Sequence, residues 1–190
     1  MTIRLIGKFC LLVILLFSNS VYSEVILDGS LGPNIHLQGP QFNIDASLGQ
    51  LHGSNLFHSF QQFNINDGEI ATFSGPDTVN NIIGRITGGT SFINGTLNST
   101  IPQANLYLLN SKGFLLGENA KLDLQGSFYL TTANKLYLSD NEVFTAQLGQ
   151  TNILTSSPPS AFGFLDSGTI TIQKSGLVVN KDKTLSISAK

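Results

Sequence analysis

The chain has 190 residues, enough for one domain and a short extension, and 41% of them are hydrophobic while only 12% are charged. The charged share is about half of the roughly 25% usual in soluble domains, and Gly, Asn, Ser, Thr and Gln fill the gap; such a surface suits an exported β-rich protein better than a helical cytosolic one. A formal net charge of −2, with Lys and Arg scattered along the chain, excludes a basic footprint for nucleic acid.

Residues 1–23 have the order of a secretory signal. Arg4 and Lys8 are followed by an apolar run at residues 9–17, and Val21-Tyr22-Ser23 then places small residues where a signal peptidase needs them, with cleavage expected before Glu24. The run is far shorter than the ~20 residues that span a bilayer, so it reads as an export signal and not as a permanent anchor. Cys10, the single cysteine, lies in this leader without a lipobox around it. Disulfides, thiol nucleophiles and Cys-based metal sites are therefore not expected in the mature chain.

From Glu24 onward no long helical period occurs. Short apolar alternations recur instead: Ile35-His36-Leu37, Phe42-Asn43-Ile44, Phe63-Asn64-Ile65, Leu106-Tyr107-Leu108, Leu122-Asp123-Leu124, Phe128-Tyr129-Leu130, Ile170-Thr171-Ile172 and Leu185-Ser186-Ile187. One residue between two apolar ones is the mark of a strand with one buried face. Turn residues follow most of them, among them Asn66-Asp67-Gly68, Gly88-Gly89, Lys112-Gly113 and Asp166-Ser167-Gly168. Many short strands with regular turns fit a sandwich, a barrel or a solenoid. Between Leu97 and Leu130 the triplets stand only six to eight residues apart, too tight for hairpin strands. That spacing favours an all-β solenoid whose coils of twenty-odd residues each have three short faces, with a sandwich as the alternative. Residues 151–160, with Ser156-Ser157-Pro158-Pro159-Ser160, read as a loop or boundary, and strand pattern resumes at Ala161.

Several stretches in order resemble one family. They are residues 53–65 (Gly-Ser-Asn-Leu-Phe-His-Ser-Phe-Gln-Gln-Phe-Asn-Ile), residues 79–89 (Val-Asn-Asn-Ile-Ile-Gly-Arg-Ile-Thr-Gly-Gly), residues 91–97 and residues 104–114, ending in Asn110-Ser111-Lys112-Gly113-Phe114. In this order and spacing the chain resembles the N-terminal two-partner secretion domain of filamentous-haemagglutinin-like exoproteins. The resemblance implies a right-handed parallel β-helix with an N-terminal cap and small extra-helical strands. It also implies recognition in the periplasm by the soluble domains of an outer-membrane β-barrel transporter, which would bring an adhesin-like passenger to the cell surface; that passenger would be the part that binds host or cell surfaces. One expected mode of recognition is pairing of an edge strand with the partner. The domain is expected over residues 24–155, with residues 156–190 continuing the β-helix into a truncated passenger. Where the family commonly has Asn-Pro-Asn-Gly-Ile, this chain keeps Asn110 and Gly113 but has Ser111 and Lys112 between them, so the turn lacks the φ that Pro would preset. An Asn-Pro-Asn-Leu turn, found in some members, is absent.

The residues expected to present the transporter-recognition surface are Asn110, Ser111, Lys112, Gly113 and Phe114, with Arg85, Gly88 and Gly89. Arg85, between apolar Ile83 and Ile86, reads either as a partly buried tie between coils or as a contact for the partner, and the tie is favoured. No cofactor or metal is expected, because His36, His52 and His58 do not fall at ligand spacing. The carboxylates Asp67, Glu69, Asp77, Glu118 and Asp123 do not form a repeated acidic motif, and no Gly-x-Ser-x-Gly elbow occurs, so the chain is not expected to be an enzyme. A direct carbohydrate-binding or adhesive solenoid is the second reading, and a polysaccharide-active enzyme the third.

Overall fold

A computed structural model describes residues 23–138, 142–150, 152–166 and 168–190. The expected leader, apart from Ser23, lies outside the described residues, and Cys10 with it. The chain opens with an antiparallel pair, β1 (Glu24–Asp28) and β2 (Asn34–Leu37), turned through Gly29 at φ +81°. Next come β3 (Gln41–Asp45), one turn of 3-10 helix at Ala46–Leu48 capped by the Asp45 side chain, and β4 (Gln50–His52). β4 folds back on β5 (Asn55–Asn64), and β1 pairs antiparallel with the other end of β5. Together these segments cap the first coil.

From β5 the chain winds as a parallel β-solenoid of about four turns. The first coil continues through Ile65 into β6 (Ile70–Ser74). The second holds β7 (Asn81–Ile86), β8 (Ser91–Ile93) and β9 (Thr96–Ser99). The third holds β10 (Asn105–Leu109), β11 (Phe114–Leu116) and β12 (Lys121–Asp123). β13 (Phe128–Thr131) starts a fourth coil, and the chain then leaves the helix for an antiparallel sheet of β14 (Lys135–Tyr137), β15 (Val143–Thr145) and β16 (Ala161–Gly163). It returns at β17 (Ile170–Ile172) and β18 (Leu185–Ser188). Apart from that antiparallel sheet, the described strands form three sheets along the solenoid. The first face runs β2-β1-β5-β7-β10-β13-β18, the second β8-β11-β17 and the third β3-β6-β9-β12.

The expected coil length holds. Asn81 bonds Asn55 26 residues back, Asn105 bonds Asn81 24 back, and Ser127 bonds Asn105 22 back. These asparagines form a ladder at the corner leading into the first face, at 2.9, 3.2 and 2.9 Å, so each coil satisfies a polar group of the next. The fourth coil is longer: Thr184 bonds Ser127 across 57 residues, because the antiparallel excursion is inserted between.

Inside the helix, side chains stack in columns, such as Leu56, Ile82, Leu106 and Phe128 on the first face and Ala71, Leu97 and Leu122 on the third. Each large apolar member removed from water contributes about 1.5–3 kcal/mol. The single buried face expected of every strand does not hold on the first face, where every residue of β7 is buried. A second core lies on the outside of that face, where Phe57, Ile83 and Tyr107 pack beneath Leu31 of the cap and Leu136, Leu138 and Phe144 of the excursion. A strand covered on both sides reads as a continuous apolar run, which is what Leu56-Phe57, Ile82-Ile83 and Leu106 to Leu109 are. The stretch read as a loop also has a partner: the Asn55 amide donates to the carbonyls of Thr155 and Ser157 at 2.9 and 2.7 Å.

Candidate functional site

The corner that carries the chain from the first face to the second is built by short-range chemistry repeated coil on coil. In the third coil it is residues 110–113. The Asn110 carboxamide oxygen accepts the Lys112 amide at 2.9 Å, and the Asn110 carbonyl accepts the Gly113 amide at 3.0 Å. This is an Asn-initiated turn, which needs no proline to form. The remaining donor, Nδ2, reaches the coil before, bonding the Gly89 carbonyl at 2.9 Å and Ser91 Oγ at 3.1 Å. Asn110 is fully buried, so each of these bonds is made away from competing water.

Two glycines fit for different reasons. Gly113 has φ +101°, and a Cβ there would lie 2.3 Å from the Thr169 carbonyl oxygen of the returning fourth coil. Gly88 has no such backbone need, but its Cβ would lie 2.1 Å from the Gln61 carbonyl oxygen of the first coil. Gly89 faces open space. Coils at this corner thus approach backbone to backbone. Gly113→Ala is expected to destabilise the domain by about 1–3 kcal/mol through the φ alone, with the contact to Thr169 adding to it. Urea unfolding measures this, and a loss under about 0.5 kcal/mol, the usual size of a neutral surface change, would show that the corner relaxes freely.

The residues singled out from the sequence are therefore brought together in part. Gly88, Gly89 and residues 110–114 form one column. Within it Asn110, Ser111, Gly113 and Phe114 are buried, Phe114 in the inner core, while Gly89, Thr90 and Lys112 are exposed. Thr90 Oγ1 donates to the Lys112 carbonyl at 3.0 Å, fixing the exposed rim. Beside it runs an open groove of about 740 Å³ whose far wall is Leu165, Asp166 and Thr169. That wall belongs to the chain returning from the excursion, more than fifty residues further along, so only the turn signal at Asp166 hinted at it. Lys112 and Asp166 give the groove one charge of each sign, with Asp166 accepting from Asn134 Nδ2 at 2.9 Å.

Arg85 lies elsewhere, sealed in the outer core at 2% exposure. Its Nε donates to Ser59 Oγ at 2.7 Å, one terminal nitrogen to the Thr145 carbonyl at 2.9 Å and the other to Ser30 Oγ at 2.9 Å, and the guanidinium sits 5.1 Å from the Phe144 ring centre. Asp28 anchors the same network, accepting from Ser59 Oγ at 2.6 Å and Thr87 Oγ1 at 3.0 Å. Burial works against the Asp28 carboxylate, but hydrogen bonds from Ser30, Ser59 and Thr87 outweigh it and hold its pKa below the ordinary value. Burial pulls the Arg85 pKa down, and Asp28 opposes that pull. Of the two readings of Arg85, burial favours the tie.

The histidines are dispersed. His36 is exposed on β2, His52 is half-buried on β4, and His58 points into the helix interior between Phe60 and Phe73. Among the described residues no three His, Cys, Asp or Glu side chains converge as metal ligands. The carboxylates weighed for acid–base work sit apart, with Asp67, Asp77, Glu118 and Asp123 each exposed and Glu69 accepting the Asn66 amide at 2.7 Å. A family model, the TPS secretion domain, matches residues 23–189. No curated protein matches the chain.

Proposed function

Because the chain belongs to the TPS secretion domain family, we propose that it is the recognition module read in the periplasm by the soluble domains of an outer-membrane β-barrel transporter, with the corner column at residues 88–90 and 110–114 as the surface that is read. Family membership makes it a module of a two-partner secretion exoprotein, bound for the cell surface or beyond by way of the periplasm. The Sec machinery delivers it to the periplasm under the direction of residues 1–23. The passenger it leads is the adhesive part, and residues 156–190 lead into it.

The observation that carries this reading is the bond from Asn110 Nδ2 to the Gly89 carbonyl. It joins the two stretches that the sequence singled out into one rigid rim, with Thr90 and Lys112 outward. A pre-formed rim binds without an ordering cost. In a titration against the purified periplasmic domains of the transporter encoded beside this gene, the chain binds saturably. Asn110→Ala, which frees the turn, is expected to weaken the affinity roughly tenfold, the equivalent of one buried hydrogen bond. Unchanged affinity in a folded Asn110→Ala or Lys112→Glu chain would remove the corner from the interface.

A further inference from the structure

Leu165 stands between two hollows. One is the corner groove of about 740 Å³, which holds Lys112. The other, of about 140 Å³, is lined by Lys135 of β14 with Asn134, Gln147 and Gln150. The leucine lines both and is 65% exposed, so an apolar ridge separates two polar depressions, each with one lysine in its wall. Covering that ridge removes apolar area from water.

The charges around the ridge are not balanced within the chain. Among the described residues the walls hold one carboxylate, Asp166, and its Oδ2 already accepts from Asn134 Nδ2 at 2.9 Å and from Gln147 Nε2 at 3.4 Å. Lys190 reaches the Leu165 carbonyl at 3.3 Å, which brings a third cation to the same wall. Among the described residues no carboxylate pairs with Lys112, Lys135 or Lys190. Three unpaired lysines thus ring an exposed leucine in a chain whose formal net charge is −2 and whose residues 24–84 carry six carboxylates and no Lys or Arg. The patch is locally positive against the charge of the whole chain.

We infer that the ridge and its two hollows receive an acidic segment of the transporter's periplasmic domains, with carboxylates set against Lys112 and Lys135 and an apolar side chain laid on Leu165; the inference rests on the reading of the corner as the surface that transporter recognises. Lys112 belongs both to the rim of that corner and to the groove, so a partner seated on the rim covers the ridge as well. Lysines at the edge of an interface govern the rate of encounter and the choice of partner, while the leucine supplies apolar contact. A second copy of this chain is the other source of carboxylates, and a poorer one. Its Asp28 is taken up by Ser59 and Thr87, Asp45 closes β3, and Asp67 and Asp77 lie in the turns after β5 and β6, so it offers scattered charges in place of a segment.

Binding kinetics of the exported chain with the purified periplasmic domains of the transporter encoded beside it test this. Lys135→Glu lies outside the corner and is expected to weaken binding roughly fivefold, mostly through slower association and with a shallower dependence on salt. Lys135→Arg binds as the parent does, and so does Lys121→Glu, the same charge reversal on the exposed third face. Leu165→Ser is expected to weaken binding roughly fivefold as well, chiefly through faster dissociation. Circular dichroism checks that each variant is folded. Affinities of both Lys135→Glu and Leu165→Ser within about twofold of the parent overturn the inference, and a continued loss in Asn110→Ala then leaves the corner reading intact. Equal weakening by Lys121→Glu assigns the effect to net charge and also overturns it. Absence of any binding overturns both readings. The chain alone is expected to sediment as a monomer; self-association that Lys135→Glu abolishes would give the ridge to a second copy and overturn the inference.

Discussion

Arg85→Ala is expected to lower the unfolding free energy by about 3–5 kcal/mol. The guanidinium holds three segments that are remote in sequence: the cap through Ser30, the first coil through Ser59 and the excursion through Thr145. Removing it leaves the half-buried Asp28 without the positive charge beside it and the buried Thr145 carbonyl without its donor. The midpoint of thermal unfolding should fall by roughly 10 °C. Arg85→Lys keeps the charge but offers one point in place of a fork, so it should recover less than half of the loss. Urea denaturation of the three proteins measures the differences. Limited proteolysis adds a local readout, since the segments around Ser30 and Thr145 should become cleavable first. A loss below about 1 kcal/mol for Arg85→Ala, no more than an ordinary substitution, would mean that the outer core holds without its tie.

Acid is expected to weaken the domain through one group in its interior. Burial drives the His58 pKa down from 6.5 to about 4, against weaker opposing pulls from the Leu48 carbonyl and the Asp45 carboxylate. Neither ring nitrogen meets hydrogen-bond geometry with a partner, and the ring is walled in by Phe60, Phe73 and the backbone at Gly49, where a Cβ would come within 2.8 Å of Nδ1. Between pH 6.5 and 4 the unfolded chain takes up a proton that the folded chain refuses. Stability therefore falls as pH falls through that window, by about 3 kcal/mol in all, and is fully present above it. His58→Leu removes both the unpaired nitrogens and the titration. Its denaturation midpoint should stay flat over the window apart from losses shared with the parent, such as those of the carboxylates. Parallel curves for parent and variant between about pH 7 and 4 would refute the assignment.

The inner helix was legible because it repeats. Leu106-Tyr107-Leu108, Phe114-Leu115-Leu116, Leu122-Asp123-Leu124 and Phe128-Tyr129-Leu130 fall on or overlap β10, β11, β12 and β13 in turn, and the first and last of them stand one coil apart and pair with each other. The outer core was not legible, because its members come from residue 31, from the odd positions of the first face and from residues 136–162, and no local period links them. The alternation Leu136-Tyr137-Leu138 was its one local sign. At the candidate site the chemistry of Asn110 and Gly113 could be read from residue type, since one makes its own turn and the other permits a positive φ. That Ser111 and Phe114 lie inward while Lys112 alone of the five faces outward depends on how coils stack, as does the wall at Asp166. Arg85 showed its oddity, a cation between Ile83 and Ile86, but its partners stand 26, 55 and 60 residues away.

The tie from Asn55 to the Thr155 and Ser157 carbonyls spans 100 and 102 residues. A solenoid whose coils touched only their neighbours could close one coil at a time from its N-terminal end. This one cannot, because the outside of its first coil stays uncovered until residues 136–162 have arrived. The loop that must close before that contact forms is long, and its closure entropy opposes folding before the contacts are made. The coil that comes first in the chain is thus the one whose burial is completed last, after the later coils are already in place.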